Sequence, residues 1–360
     1  MKFQPMLSEN RDLFHIKLFT GFLVTVIFIL ILKELKTVFL PLFMALLLYF
    51  LFNGVVKKLL SSWILSKILP LRLKKILVLF FLLIFIFIIF YFLGALVFAI
   101  ASSFIKKFPA YSDKIVSLIE NFSELIKVPI SDVNHYIENI DWTKSINTIT
   151  AVVSSTFGSF ASFMGNVVLI IIFLMFMLAG RQSMVIRINN AFSESKADKI
   201  IFILNSIEDQ VQHYLLIKTS ISLLTAVVSG IILFTGRFDF VLFSVFLIFV
   251  LNFIPNFGSM VATAFPIVIG IINYGFSVRV LIVALALMLT QMIIGNVIEP
   301  SITGKNLNLS PIVILVSLIF WGWIWGITGM ILAVPLTSAI KIIFEHIDSL
   351  KPIASLISAE

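Results

Sequence analysis

Two uncharged stretches in the last third of the chain, Phe240 to Val278 and Asn306 to Ile340, are each longer than one membrane crossing requires, and helix-breaking residues interrupt both. A crossing helix needs about 20 apolar residues at ~1.5 Å rise. The first stretch contains LNFIPNFGS, Leu251 to Ser259; the second is led in by NVIEPSITGKNLNLSP, Asn296 to Pro311, and broken by WGWIWGITG, Trp321 to Gly329. In hydrocarbon each unpaired peptide group costs several kcal/mol, so a break rich in Pro, Gly and Asn survives at membrane depth only where protein or a water-filled cavity surrounds it.

The rest of the chain fits a membrane protein. Hydrophobic residues make up 60% and charged ones 12%, with a mean hydropathy of +1.14, whereas soluble domains carry about twice that charge fraction. The predicted fold is therefore all-α: a polytopic integral membrane protein with about eight membrane segments, some broken or re-entrant, and amphipathic helices outside them. Five spans are expected at Ile16 to Leu32, Thr37 to Val55, Ile76 to Phe104, Val152 to Ala179 and Thr219 to Gly236. The remainder is a hairpin at Phe240 to Asn273, a span at Val280 to Ile298 and a broken segment at Pro311 to Ile340. This divides the chain into N-terminal spans (1–104), an extracytoplasmic helical segment (105–151), a fourth span (152–180), a cytoplasmic amphipathic helix (181–218), a C-terminal core of helix hairpins (219–341) and a cytoplasmic tail (342–360).

Lys57, Lys58, Lys67, Arg72, Lys74 and Lys75 crowd one loop without an acid, which predicts that this loop and the N-terminus face the cytoplasm. By parity Ile105 to Ala151 lies outside and Arg181 to Lys218 inside. The net charge of +8 is thus a matter of membrane orientation, and no nucleic-acid partner is expected. A stripe of Ile200, Ile203, Leu204, Ile207, Val211, Tyr214 and Leu215 marks the inner helix as packed on one face, with Glu208, Asp209 and Gln212 off it. A similar stripe from Tyr111 to Ile126 marks the outer one. Such faces favour packing on the membrane domain or on a neighbouring subunit.

Polar residues inside the apolar stretches are the candidate site. Pro255 cannot donate an amide hydrogen; Asn252 and Asn256 flank it, and Gly258 and Ser259 follow. The helix is expected to stop near Phe253 and restart after Ser259, leaving free peptide groups and two carboxamides at one level. Arms of ~14 residues reach ~20 Å against a ~30 Å hydrocarbon core, so a re-entrant hairpin and two tilted crossings both fit. Gln291, Asn296 and Glu299 share one side of the next helix; Glu299 needs a partner at membrane depth, and Lys305 is the nearest cation. Pro300, Gly304, Pro311, Gly326, Gly329 and Pro335 are expected helix breaks or gates. Lys218, Arg237 and Asp239 read as interfacial anchors, and Trp321, Trp323 and Trp325 as an aromatic belt or a cavity lining.

These residues resemble the autoinducer-2 exporter family, the PerM-like permeases, whose C-terminal half carries a Leu-Asn-Phe-Ile-Pro segment followed by Gly. The likeness extends through Glu299-Pro300, Gly304-Lys305, Asn308 to Pro311, and Gly326 to Gly329 leading into Ala333 to Leu336; Tyr214-Leu215, Lys218-Thr219 and Ile221-Ser222 also match. At Leu178 to Arg181 many members have an acidic residue before the Gly where this chain has Ala179, so no role of that acid carries over. The resemblance implies an inner-membrane exporter of a small polar solute such as autoinducer-2, or, as in some relatives, a Na⁺(Li⁺)/H⁺ antiporter. It also implies a homo-oligomer, with a ring of five as one form.

Other activities have little support in the sequence. There is no GxxxxGK[ST] phosphate loop to power transport by ATP hydrolysis. Cysteine is absent and the four His lie outside the uncharged runs, so no catalytic residue, metal site or cofactor is expected. The partners are then the bilayer and a small polar solute, or a monovalent cation with a proton. A non-transporting scaffold, acting through its amphipathic helices, is the remaining class. Glu299 is the single strong acidic candidate at depth, which favours a neutral solute over cation exchange.

Overall fold

The computed structural model describes residues 5–61, 71–126, 142–255, 257–303 and 308–359. It is helical throughout: α1 (Pro5–Glu34), α2 (Lys36–Ser61), α3 (Leu71–Ile126), α4 (Trp142–Ala191), α5 (Glu194–Thr235), α6 (Val241–Leu251), α7 (Phe257–Tyr274), α8 (Val278–Ile293), a π-helical turn (Ile294–Ile298), α9 (Glu299–Thr303), α10 (Pro311–Glu345) and α11 (Lys351–Ile357). Among the described residues there is no strand, only an isolated bridge from Leu309 to Ser358. Six helical stretches are long and apolar enough to cross a membrane, and two shorter apolar pieces, Leu83–Leu96 and Val241–Leu251, accompany them. The protein is an all-α, multi-pass membrane protein.

The expected separation of membrane spans from amphipathic helices does not hold. α3 runs on past Phe104 to Ile126, α4 past Ala179 to Ala191, and α5 unites the inner amphipathic helix with the fifth span. In α5 the reason is visible, because between Ser193 and Gly236 the only breaker is Gly230, a small residue that a helix in a packed bundle tolerates. Glu194 in the first turn of α5 suits the positive end of its dipole.

The chain forms two compact units, residues 48–308 and residues 1–47 with 309–360. In the smaller unit α10 is broken at Gly326, whose φ of 65° and ψ of −145° are non-helical, a region open essentially to glycine alone. The break predicted in Trp321 to Gly329 is thus present. Pro311 opens α10 at a position where its missing amide costs nothing. Pro335, expected to be a break, instead lies buried within the helix beyond Gly326; surrounding packing tolerates the lost amide bond. The three tryptophans are not a belt. Trp321 and Trp325 are buried, Trp325 Nε1 donates to the Leu32 carbonyl at 3.0 Å, and only Trp323 is exposed, with Lys33 Nζ 4.6 Å from its ring centre.

In the larger unit α5, α6, α7 and α8 pack together. Ala226, Ile248 and Ala262 meet where α5, α6 and α7 come close, and Leu233, Phe238, Val280, Val283 and Leu287 form a second apolar layer. Lipid tails are as apolar as leucine, so such layers hold by close packing rather than by expelling water.

The hairpin of α6 and α7 returns to the end from which it starts. Tyr274 donates to the Arg237 carbonyl, and Asn273 Nδ2 donates to Asp239 Oδ2 at 2.8 Å, so both feet lie together. α6 has 11 residues, a length of ~16 Å, about half a hydrocarbon layer. α7, with 18 residues, is long enough to cross, so the two arms of the hairpin are unequal.

Candidate functional site

The tip of the hairpin is the first component of the site. α6 stops at Leu251, α7 starts at Phe257, and each end lies within about two residues of where the Pro and Gly pattern places it. The sequence led one to expect free amides at the tip, but among the described residues its amides are paired. The N–H groups of Asn252, Phe253, Ile254, Phe257 and Gly258 bond to the carbonyls of Ile248, Val250, Leu251, Pro255 and Ile254. What the tip offers is side chains. Asn252 is buried and its Nδ2 donates to Ser222 Oγ on α5 at 3.2 Å, which orients the carboxamide. Ser222 lies ~20 Å along α5 from its Thr235 end at 1.5 Å per residue, and this fixes the tip beyond half depth measured from Asp239.

The second component is the end of α8. There the backbone passes through the π-helical turn, and the Glu299 amide bonds to the Ile294 carbonyl. A π turn holds one residue more than an α turn and is common where a helix carries a functional group. It also accommodates Pro300, which neither breaks nor ends the helix because the π turn absorbs its missing amide. Glu299 then meets Lys218 of α5 in an ion pair. Lys218 is buried, with 5% of its side chain exposed, against 24% for Glu299. Lys218 is therefore no snorkelling anchor, and among the described residues the cation that Glu299 meets lies 81 residues before it. Lys305, the cation nominated from sequence, falls outside the described residues, as do Asn256 and Gly304.

Between these components lies a cavity of about 670 Å³, within the size range of small-molecule sites. The hairpin contributes Asn252, Pro255, Ser259 and Thr263; α8 and the π turn contribute Met288, Gln291, Met292, Gly295 and Asn296; Lys218 and Glu299 close the floor. Six residues singled out from sequence, Asn252, Pro255, Ser259, Gln291, Asn296 and Glu299, thus line one cavity. Gly258 does not line it. It is buried behind the tip against the end of α6. Gln291 Nε2 is buried without a partner among the described residues, a donor beside the cavity. Pro311, Gly326, Gly329 and Pro335 belong to the other unit and add nothing here.

Sequence reasoning missed two further polar centres. Glu208, placed off the apolar stripe, is 4% exposed; Asn53 donates to its Oε1, and Tyr49 Oη and Arg181 Nε donate to its Oε2 at 3.3 and 3.1 Å. The signal was available in Tyr49 and Asn53, one turn apart in an otherwise apolar span. The other centre is Asp239, read as an anchor. It accepts from Lys107 Nζ at 2.5 Å, Tyr111 Oη at 3.0 Å and Asn273. Burial alone would push its carboxyl up, but the hydrogen bonds from Lys107 and Tyr111, the Lys107 charge and the Asn273 amide outweigh burial and hold it below its ordinary value. The Tyr111 phenol is pushed up to about 12, chiefly by burial.

A depressed carboxyl stabilises the fold above its unfolded pKa of ~3.9, and that contribution disappears as pH falls through the lower folded value. The gap in melting temperature between the parent protein and Asp239→Asn is therefore expected to stay constant from pH 8 to about 5 and to shrink below about 4. Thermal melts of both proteins across that range check it.

A helical membrane bundle with a broken hairpin, a π turn and a polar cavity between them has the build of a transporter. Comparison with known proteins agrees: residues 22–349 match the model of the AI-2E family transporters, and the chain belongs to that family. It is 31% identical over 261 residues to the AI-2 transport protein TqsA of Escherichia coli K12, covering 70% of this chain and 72% of that one. A Haemophilus influenzae protein provisionally named for transport is 32% identical over 257 residues, 69% of this chain and 72% of its own. A Borreliella burgdorferi protein, named in the same way, is 30% identical over 252 residues, 69% and 67% of the two chains.

Proposed function

We propose that this transporter exports a small, neutral, polar solute, autoinducer-2 or a metabolite like it, through the cavity between the hairpin tip and the π turn. The observation that carries the reading is the composition of that cavity. Three carboxamides and two hydroxyls line it, and its one acid is compensated by Lys218. A net-neutral polar lining suits a hydroxylated solute that both donates and accepts hydrogen bonds. A cation exchanger needs an acid without a basic partner, and Glu299 is bonded to Lys218, so Na⁺(Li⁺)/H⁺ antiport is the weaker alternative. A scaffold without transport leaves a cavity of this polarity without a purpose.

In this proposal the protein sits in the bacterial inner membrane with its N-terminus in the cytoplasm, so the Asp239 end of the hairpin faces outward. The presence of Lys107, Tyr111 and Lys114 at that end, bonded to Asp239 and Asn273, supports the parity argument that puts residues 105–151 outside. Subunits assemble as a homo-oligomer through the apolar faces, and export of a signalling molecule would place the protein in quorum sensing.

Purified protein in liposomes loaded with autoinducer-2 tests the reading. Efflux above that of empty liposomes is expected, with Asn252→Ala and Pro255→Ala each slowing it by about tenfold, the worth of one lost buried hydrogen bond or a displaced tip. No efflux, or efflux indifferent to both changes, would refute it.

A further inference from the structure

We infer that Asp239 is the fastening of a gate that closes the path at the hairpin's feet. Three observations converge on it. The cavity borders an apolar layer: Ile267, one of its lining residues, also packs onto the cluster of Leu233, Phe238, Val283 and Leu287. That layer reaches the Asp239 end of the bundle through Phe238, the residue before Asp239. Above the layer, Asp239 stands at the foot of α6 and Asn273 at the foot of α7, and the two are bonded to each other. The long outward extension of α3 then grips both feet, Lys107 and Tyr111 on Asp239 and Lys114 on Asn273 at 3.0 Å.

A solute cannot pass the apolar layer unless α7 shifts against α5 and α8, and that shift must break this polar clamp. The clamp is built to reopen. Tyr111 is buried and fixes the position, while the Lys107 and Asp239 side chains are 48% and 33% exposed, so water can replace their mutual bond at little cost. A buried pair such as Lys218–Glu299 lacks that freedom. The residues of the clamp thus act on passage without touching the solute in the cavity, as positioning residues for the closed state.

The inference rests on reading the cavity as a path, and it is tested without any solute. The chain has no cysteine, so Ala264→Cys, at the cavity wall, supplies a single thiol. Its rate of modification by the impermeant reagent MTSET is measured in right-side-out and inside-out membrane vesicles. Modification about tenfold slower from one face is expected, as for an open state populated at ~1–10%. Asp239→Asn in the same background should speed the slow face several-fold, about as far as the minority state can rise, and leave the fast face unchanged. Lys107→Gln should do the same, which guards against a folding defect peculiar to the first variant. Equal rates from both faces, or a slow face unmoved by both substitutions, would overturn the gate while leaving the path intact. A thiol reached from neither face would remove the path and the gate with it.

Discussion

Glu299→Gln is expected to be among the most damaging single changes in this protein, and Lys218→Met to be milder than it. The order follows from burial. Removing Glu299's charge strands Lys218, which has almost no access to water, whereas removing Lys218 leaves a carboxylate that is 24% exposed and lines the cavity. Breaking a fully buried pair costs about 3–5 kcal/mol and an exposed one about 0–1. The intermediate exposure here places Glu299→Gln near 3 kcal/mol and Lys218→Met near 2. The double change Lys218→Met with Glu299→Gln leaves no stranded charge and should recover most of the loss, a coupling of about 4 kcal/mol against the summed single losses. Apparent melting temperatures of the four proteins in one detergent measure it. Efflux of autoinducer-2 from liposomes adds a second readout: the double variant should melt near the parent yet export at least about tenfold more slowly, because stability returns but the cavity's charged floor does not. Single variants that melt and export like the parent would mean that the pair is held as loosely as one on the surface. If Glu299→Gln abolished only pH-driven cation exchange and left solute efflux intact, the antiporter reading would replace the one proposed.

Much of this site was legible in the sequence because hydrocarbon penalises every polar atom placed in it. Asn252, Pro255, Ser259, Gln291, Asn296 and Glu299 stood out as exceptions in uncharged stretches, and the fold gathers all six on one cavity. Breaks at Leu251 to Phe257 and at Gly326 followed from residue types with fixed backbone demands. What failed were partnerships across the chain. Lys218 reads as an anchor because it stands where an apolar span begins, and only the approach of α9, set by the π turn, shows that it is enclosed. Glu208 and Asp239 were misplaced for the same reason: helical periodicity assigns a face to a residue but does not say which distant helix covers that face. Helix ends failed differently. Residues 105–126 and 181–218 look like separate amphipathic segments by hydropathy, yet a change from apolar to amphipathic composition carries no stop signal, and the backbone continues through it.

Gly258→Ala should cripple the hairpin outright. A β-carbon at this position would stand 1.8 Å from the Leu251 carbonyl oxygen and 2.7 Å from its carbon. Both are backbone atoms at the end of α6, so no side-chain rotation relieves the clash, and the tip can accept the methyl only by parting α6 from α7. That movement would strain the Gly258 N–H bond to the Ile254 carbonyl and pull Asn252 away from Ser222. Overpacking typically costs about 1–3 kcal/mol and more where only backbone can yield, so a loss of about 3 kcal/mol or more is expected, with export abolished. Gly295→Ala is the matched control. Gly295 lines the same cavity, but its nearest foreign atom is Gln291 Oε1 at 4.0 Å, and a methyl there meets only van der Waals contact. Its melting temperature should stay within ~1 °C of the parent, equivalent to about 0.8 kcal/mol in a chain of this size. Membrane yield, thermal melts and liposome efflux of the two variants decide the matter. A Gly258→Ala protein that folds and exports like its Gly295→Ala counterpart would show that the two arms of the hairpin do not stack at the tip, and the orientation of Asn252 toward the cavity would lose its cause.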